Sequence, residues 1–138
     1  MFEAVRYHDF SCGHRVYGHE SKCSNLHGHN YRVHFHCRAD KTDTVGRVID
    51  FSDIKTRLAM WCEDNWDHKF LVWENDPLYP VLLACDPTVV GVPFNPTAEN
   101  MAQHLVEVIG VQQMAGTGIM LHSVNIEETR KCSASFTL

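Results

Sequence analysis

Residues 27–37 read His-Gly-His-Asn-Tyr-Arg-Val-His-Phe-His-Cys, the most strand-like run in the chain. Residues i and i+2 of an extended chain project to the same face, so His27 and His29 point together. The odd positions that follow are all apolar: Tyr31, Val33, Phe35 and Cys37. We therefore expect both imidazoles to face the core, where a neutral pair is costly without a partner. A metal ion is such a partner.

A third histidine, His14, ends the upstream run Phe-Ser-Cys-Gly-His at residues 10–14, which alternates in the same way. Three histidines without a fourth protein ligand are typical of an open, catalytic zinc site rather than a closed structural one. Cys23 lies just before the His27–His29 pair, where its thiol could act as a base or nucleophile beside the metal. The alternative is that the His-x-His pair is a solvated or hydrogen-bonded pair on a strand.

The composition is that of an ordinary globular protein, with 138 residues, 44% hydrophobic and 21% charged. This length predicts one domain, residues 1–138, that buries about two-thirds of its unfolded surface. We expect a cytoplasmic protein with no membrane partner, because no apolar run reaches the length of a membrane span and the N-terminus has no signal-peptide pattern. The six cysteines lack Cys-x-x-Cys spacing, which indicates neither a zinc ribbon nor a disulfide framework. The net charge of −5 argues against a nucleic-acid partner.

The first half of the chain predicts two strands, at residues 2–16 and 30–39, and a short third strand at 47–51. A helix then follows, capped by Asp50 or Ser52. Its apolar residues recur at helical spacing: Ile54, Leu58, Trp61 and Cys62.

Residues 72–95 hold four of the five prolines and show little periodicity, so we expect a long excursion there. A second helix should begin after Pro96 with Thr97 as N-cap and end at Gly110. Strands are predicted at residues 119–128 and 132–138. The order strand, strand, helix, helix, strand, strand indicates an α+β protein with an antiparallel sheet.

Two further groups are candidates for chemistry. The adjacent Asp67 and His68 follow the first helix, where a carboxylate can orient an imidazole and raise its basicity; a surface polar pair is the alternative. Glu128 ends the mostly apolar even-numbered face of the predicted strand 119–128, and a carboxylate there needs two or three donors. The alternative is a glutamate that bends into solvent.

The motifs Phe-x-x-x-His at residues 10–14 and Cys-x-x-x-His-Gly-His at residues 23–29 resemble the zinc site of the 6-pyruvoyltetrahydropterin and 6-carboxytetrahydropterin synthase superfamily. Other similar segments are the Trp-Asp-His-x-x-Leu run, Pro-Thr-x-Glu-Asn and Ile-x-Glu-Thr. The similarity spans nearly the whole chain, at residues 10–14, 23–31, 48–54, 66–71, 96–100 and 126–129.

This resemblance implies the tunnelling fold, an antiparallel four-stranded sheet with two helices packed on one face. It implies a homohexamer of two trimers with active sites at subunit boundaries. The implied zinc ligands are His14, His27 and His29. The implied catalytic residues are Cys23, Asp67, His68 and Glu128, of which Glu128 anchors the pterin. Thr97 is a helix cap by its position, and by resemblance a secondary pterin contact.

Three residues separate Cys23 from His27, a spacing that resembles the bacterial 6-carboxytetrahydropterin synthases of queuosine biosynthesis. The implied activity is that of a zinc-dependent lyase that converts 7,8-dihydroneopterin triphosphate to 6-carboxytetrahydropterin, acetaldehyde and triphosphate. One alternative is a 6-pyruvoyltetrahydropterin synthase, which uses the same residues. The other is a non-catalytic zinc- or pterin-binding module, which would not need the proton-transferring Cys23 and His68.

Overall fold

The computed structural model describes all 138 residues, and its centre is one long hairpin. Strand β1 (Phe2–His14) pairs antiparallel with β2 (His27–Ala39) along their full length, so that Phe2 lies opposite Ala39 and His14 opposite His27. All buried residues of β1 lie at even positions and all those of β2 at odd positions, as the alternation predicts.

The sheet continues on both sides of this hairpin to six strands. Strands β5 (Met120–Glu127) and β6 (Ser133–Thr137) add antiparallel beyond β2. Strands β3 (Phe70–Trp73) and β4 (Val90–Val92) add in parallel beyond β1, which gives the order β4-β3-β1-β2-β5-β6. The predicted α+β fold is confirmed, but the sheet is six-stranded and mixed rather than four-stranded and antiparallel. The two additional strands are only four and three residues long, too short for a clear period-2 pattern.

Two long helices cover one face of the sheet. Helix α1 spans residues 51–65 and helix α3 spans residues 98–113, each with a wider π-helical turn in its middle, Lys55–Ala59 and Leu105–Ile109. They enclose a single core of 24 buried residues with the apolar positions of β1, β2 and β5. Both helices have a side-chain N-cap. The Asp50 side chain accepts a hydrogen bond from the Ser52 amide, and the Thr97 side chain accepts one from the Asn100 amide.

Two predicted details of the secondary structure are wrong. Residues 47–51 form no strand, and Phe51 instead begins helix α1. Gly110 does not end helix α3 but lies within it. A Cβ at this position would come within 2.8 Å of the Leu121 side chain on β5. Glycine is needed at this position for close helix–sheet packing. The turn that follows the helix places Gly116 at a φ of 83°, a conformation that side chains disfavour.

The excursion at residues 72–95 is structured. It contains the end of β3, a short helix α2 (Tyr79–Cys85) and β4. No helix in the structure is long and apolar enough to span a membrane. The sheet face opposite the long helices is uncovered and carries ion pairs such as Arg32–Asp9, at 2.8 Å, and His34–Glu127, at 2.6 Å.

Candidate active site

Three histidines meet where the central hairpin ends. His14 is the last residue of β1, His27 is its partner at the start of β2, and His29 follows two residues later. The alternation of the strands turns all three rings toward the helix-covered face. One ligand nitrogen of each ring lies within 4.8 Å of the others, a group able to hold a metal ion.

Backbone carbonyls fix the tautomers of two of these rings. His14 Nδ1 donates to the Pro96 carbonyl oxygen at 2.6 Å, and His27 Nδ1 donates to the Asn25 carbonyl oxygen at 2.7 Å. A ring that donates through Nδ1 presents a bare Nε2 lone pair when it is neutral, which is the form that binds metal. Both rings are therefore oriented before any metal arrives.

The third ring, His29, has a buried Nε2 with no hydrogen-bond partner. Glu128 Oε1 lies 3.1 Å away but is too poorly aligned for a hydrogen bond. An unpaired buried nitrogen is costly unless another group occupies its lone pair. A metal ion shared with His14 and His27 would satisfy it, so these residues fit a metal.

Burial favours the neutral, metal-binding form of His14 and His29. It lowers the pKa of His14, which is only 1% exposed, although the hydrogen bond to Pro96 acts in the opposite direction. Burial also lowers the pKa of His29, against the opposing charge of Glu128. Both imidazoles are therefore neutral at neutral pH, and neither has to lose a proton before a metal binds.

Tyr31 forms the floor of the group. Its ring meets those of His14 and His29 edge to face, at centroid distances of 6.0 and 5.6 Å, and stacks on Phe10 at 5.3 Å. These contacts restrict the rings that hold the ligand nitrogens.

Glu128 lies one residue beyond the end of β5, at the mouth of the histidine group. Its side chain is 24% exposed, and its Oε1 lies 3.1 Å from His29 Nε2. The neighbouring Glu127 points to the opposite face, where its carboxylate contacts His34. Even positions do not share a face along the whole of β5, because a bulge opposite His36 and Cys37 shifts the register and leaves Met120 exposed.

Cys23 lies in the loop that joins the two ligand-bearing strands. It is half-buried in a single 3₁₀ turn, Lys22–Ser24, and its carbonyl accepts a hydrogen bond from the Val16 amide at 2.8 Å. Thr97 caps α3 through its hydroxyl, directly after the Pro96 carbonyl that holds His14.

Asp67 and His68 form a pair beside β1, as a hydrogen bond of 2.7 Å links His68 Nδ1 to Asp67 Oδ2. The Ser11 amide donates to Asp67 Oδ1 at 2.9 Å. Burial raises the pKa of Asp67, but the hydrogen bonds from Ser11 and His68 outweigh it and leave that pKa below its usual value. The carboxylate is thus ionised and able to orient the imidazole.

His68 itself is 83% exposed, at the unusual φ of 59°, and its amide donates to the Ser11 carbonyl. It lines a cavity of about 530 Å³ with Ser11 and Asn30, whose side chains occupy the uncovered face of the sheet. The structure therefore brings the histidines and Glu128 together within one chain, whereas His68 faces outward.

The model of the family described as 6-pyruvoyl tetrahydropterin synthase matches residues 3–138. The chain belongs to this family. Among its relatives, the 6-carboxy-5,6,7,8-tetrahydropterin synthase of Rickettsia felis is 34% identical over 134 residues, covering 96% of this chain and 97% of the relative. The protein of the same name from Haemophilus influenzae is 31% identical over 112 residues, covering 76% and 79%.

Solved structures of the 6-pyruvoyl tetrahydropterin synthase family share this fold. The Caenorhabditis elegans 6-pyruvoyl tetrahydropterin synthase aligns with a TM-score of 0.72 at 25% identity, covering 99% of this chain and 95% of that one. An uncharacterized protein from Wolinella succinogenes aligns with a TM-score of 0.86 at 24% identity, covering 99% and 97%. The tunnelling fold predicted from the sequence is therefore confirmed.

Sequence reasoning missed the groups that hold the site in place. The carbonyls of Asn25 and Pro96 act through the backbone and leave no signal in residue type. A buried ion pair between Arg15 and Asp76 was also missed. Its one visible signal was the turn-forming Asn-Asp-Pro at residues 75–77, in which the aspartate accepts from the Leu78 amide.

Proposed function

We propose that this protein is a zinc-dependent 6-carboxy-5,6,7,8-tetrahydropterin synthase, a lyase acting on 7,8-dihydroneopterin triphosphate. The observation that carries the proposal is the pre-oriented His14, His27 and His29 group with a carboxylate at its mouth. Three imidazoles and an open position are the ligand set of catalytic zinc. Full-length relatives named as 6-carboxytetrahydropterin synthases support the choice of reaction.

When bound, zinc supplies a Lewis acid that polarises the hydroxyl and carbonyl oxygens of the substrate side chain. The Glu128 carboxylate accepts hydrogen bonds from the N3–H and 2-amino edge of the pterin. This anchoring directs the side chain of the substrate toward the three histidines, which is the positioning on which the rate depends.

Proton transfer falls to Cys23 and His68. The Cys23 thiolate takes a proton from the substrate side chain. His68, oriented by the ionised Asp67, keeps the Cys23 sulfur ready to accept that proton. Because His68 faces outward from its own chain, we propose that it completes the site of a neighbouring copy. The two sheet edges, β4 and β6, are unpaired in the single chain, which suits assembly into a homohexamer of two trimers.

The fate of the three-carbon side chain separates the proposed reaction from its main alternative. Formation of a 6-carboxytetrahydropterin keeps one side-chain carbon and, with the uptake of one water molecule, releases the other two as acetaldehyde together with triphosphate. A 6-pyruvoyltetrahydropterin keeps all three and releases triphosphate alone. We place the enzyme in the cytoplasm, with its product directed to queuosine and related 7-deazapurines.

Product analysis by mass spectrometry tests the proposal. Zinc-loaded protein incubated with 7,8-dihydroneopterin triphosphate should yield 6-carboxytetrahydropterin and acetaldehyde in equal amounts. A product that retains all three side-chain carbons would assign the 6-pyruvoyl reaction instead. Unchanged substrate, with zinc bound, would indicate a non-catalytic binding module.

A further inference from the structure

One ion pair is buried outside the groups assigned so far. Arg15 Nε donates to Asp76 Oδ2 at 2.6 Å, and a terminal nitrogen of the same guanidinium donates to Asp76 Oδ1 at 3.0 Å. The Asp76 side chain is 1% exposed and that of Arg15 is 16% exposed. A bidentate ion pair of this kind fixes the orientation of the guanidinium as well as its distance from the carboxylate, because the planar guanidinium matches both carboxylate oxygens.

The remaining nitrogen of the guanidinium points to the loop that carries Cys23. Arg15 Nη1 donates to the Ser24 carbonyl oxygen at 3.4 Å, and the adjacent Val16 amide donates to the Cys23 carbonyl oxygen at 2.8 Å. Arg15 and Val16, the two residues after His14, therefore hold the carbonyls of Ser24 and Cys23 in the 3₁₀ turn.

Asp76 anchors the other side of this arrangement. Its Oδ1 also accepts from the Leu78 amide at 2.8 Å, and its own amide donates to the Trp73 carbonyl, so its carboxylate is fixed by the turn that leaves β3. The excursion at residues 72–95 thereby supplies the buried counter-charge for Arg15.

We propose that Arg15 and Asp76 are positioning residues that clamp the Cys23 turn against the metal site. The proposal rests on the function proposed above for the role of Cys23 in turnover. Neither residue touches the substrate; Asp76 fixes Arg15, and Arg15 fixes the backbone on which the thiol is carried. This role gives the excursion at residues 72–95 a function, because Asp76 binds two of the three guanidinium nitrogens.

The variant Arg15→Ala tests the clamp with two readouts. Misplacement of a reacting group by about 1 Å costs on the order of 10²-fold in rate, so kcat should fall by roughly 10- to 100-fold while KM changes little. A loosened turn should also expose Cys23, so that iodoacetamide alkylates it at least about fivefold faster. Alkylation is followed by mass spectrometry of the peptide at residues 23–32, and the peptide holding Cys132 is the internal control.

Matched variants separate positioning from stability. Arg15→Lys keeps the charge but not the bidentate geometry. Relative to Arg15→Ala, it should restore folding stability more fully than kcat. Asp76→Asn keeps an acceptor for the Leu78 amide and should raise Cys23 alkylation in the same direction as Arg15→Ala. Arg47→Ala removes an exposed arginine that pairs with Asp43, and should change neither readout.

The outcomes distinguish this proposal from the proposed function. Zinc content should stay at the wild-type level in every variant, because the histidine ligands are intact. If wild-type protein shows no turnover, the proposed function fails, and the alkylation rates still decide whether Arg15 holds the turn. If Arg15→Ala only lowers the melting temperature and leaves kcat and Cys23 alkylation within twofold of wild type, the clamp is refuted. If Arg15→Ala does not fold, Arg15→Gln combined with Asp76→Asn leaves no unpaired buried charge and must show the faster alkylation.

Discussion

Replacement of Glu128 by glutamine isolates the pterin anchor from the metal site. The carboxylate is expected to accept two hydrogen bonds from N3–H and the 2-amino group of the pterin. In Glu128→Gln one of these acceptors becomes an NH₂ group that faces a donor. Hydrogen bonds to charged groups contribute about 1.5–3 kcal/mol each. Because the Glu128 side chain is 24% exposed, the lower part of that range applies, about 2 kcal/mol.

A loss of about 2 kcal/mol corresponds to roughly 30-fold weaker binding, since 1.4 kcal/mol is tenfold. Isothermal titration calorimetry with neopterin or sepiapterin measures this change directly. Metal analysis of the same samples should show unchanged zinc, because glutamine leaves the three imidazoles in place. Loss of zinc in Glu128→Gln would instead identify the carboxylate as a fourth metal ligand.

Glu127→Gln is the matched control for the same strand end. Its carboxylate contacts His34 at 2.6 Å on the uncovered face, so its replacement should cost at most about 1 kcal/mol of stability and leave pterin affinity unchanged. Equal losses of affinity in the two variants, or a larger loss in Glu127→Gln, would refute the assignment of Glu128.

Three further outcomes follow from the structure. Cys23→Ala should keep zinc and pterin binding but lower kcat by about 10²–10⁴-fold, the usual contribution of an acid–base group; near-normal turnover would leave Cys23 a packing residue. Burial lowers the pKa of His14 and His29, so the unfolded chain binds protons first as pH falls below about 6.5, and the metal-free protein should lose stability on acidification. Thermal denaturation of chelator-treated protein at pH 7.5 and 5.5 checks this, and an equal or higher midpoint at pH 5.5 would contradict it. Gly13→Ala places a Cβ 2.5 Å from the Phe70 ring and should lower the free energy of unfolding by about 1–3 kcal/mol in urea titrations; a neutral effect would show that Phe70 moves freely.

The parts of this fold that follow from strand alternation were predictable from the sequence. The inward direction of His27 and His29 follows from the apolar odd positions of β2, and His14 continues the even positions of β1. The helix cap at Thr97 likewise rests on a local side-chain hydrogen bond. Each of these features depends on residues close together in the chain.

What the sequence did not predict depends on partners far along the chain. Strand β3 has two successive buried residues, Leu71 and Val72, so it lacks the alternation that marks a strand with one exposed face. Gly110 was interpreted as a helix end because its packing partner, Leu121, lies on another element. The Arg15–Asp76 pair joins residues 61 positions apart, and the turn motif around Asp76 does not identify its partner.

The outward orientation of His68 is the main feature that residue patterns left open. The family resemblance implied a catalytic pair at Asp67 and His68, and the structure shows the two side chains hydrogen-bonded, with His68 83% exposed. Whether the pair serves a neighbouring copy is part of the proposed function.

The central claim is that His14, His27 and His29 together hold a catalytic zinc ion. Anomalous diffraction at the zinc absorption edge, from crystals of the zinc-loaded protein, tests it most directly. We predict one zinc per chain, bound by the three Nε2 atoms at about 2.0–2.1 Å with one position open to solvent or substrate. A zinc peak elsewhere, or zinc-saturated crystals in which these three side chains are splayed apart without metal, would contradict the claim.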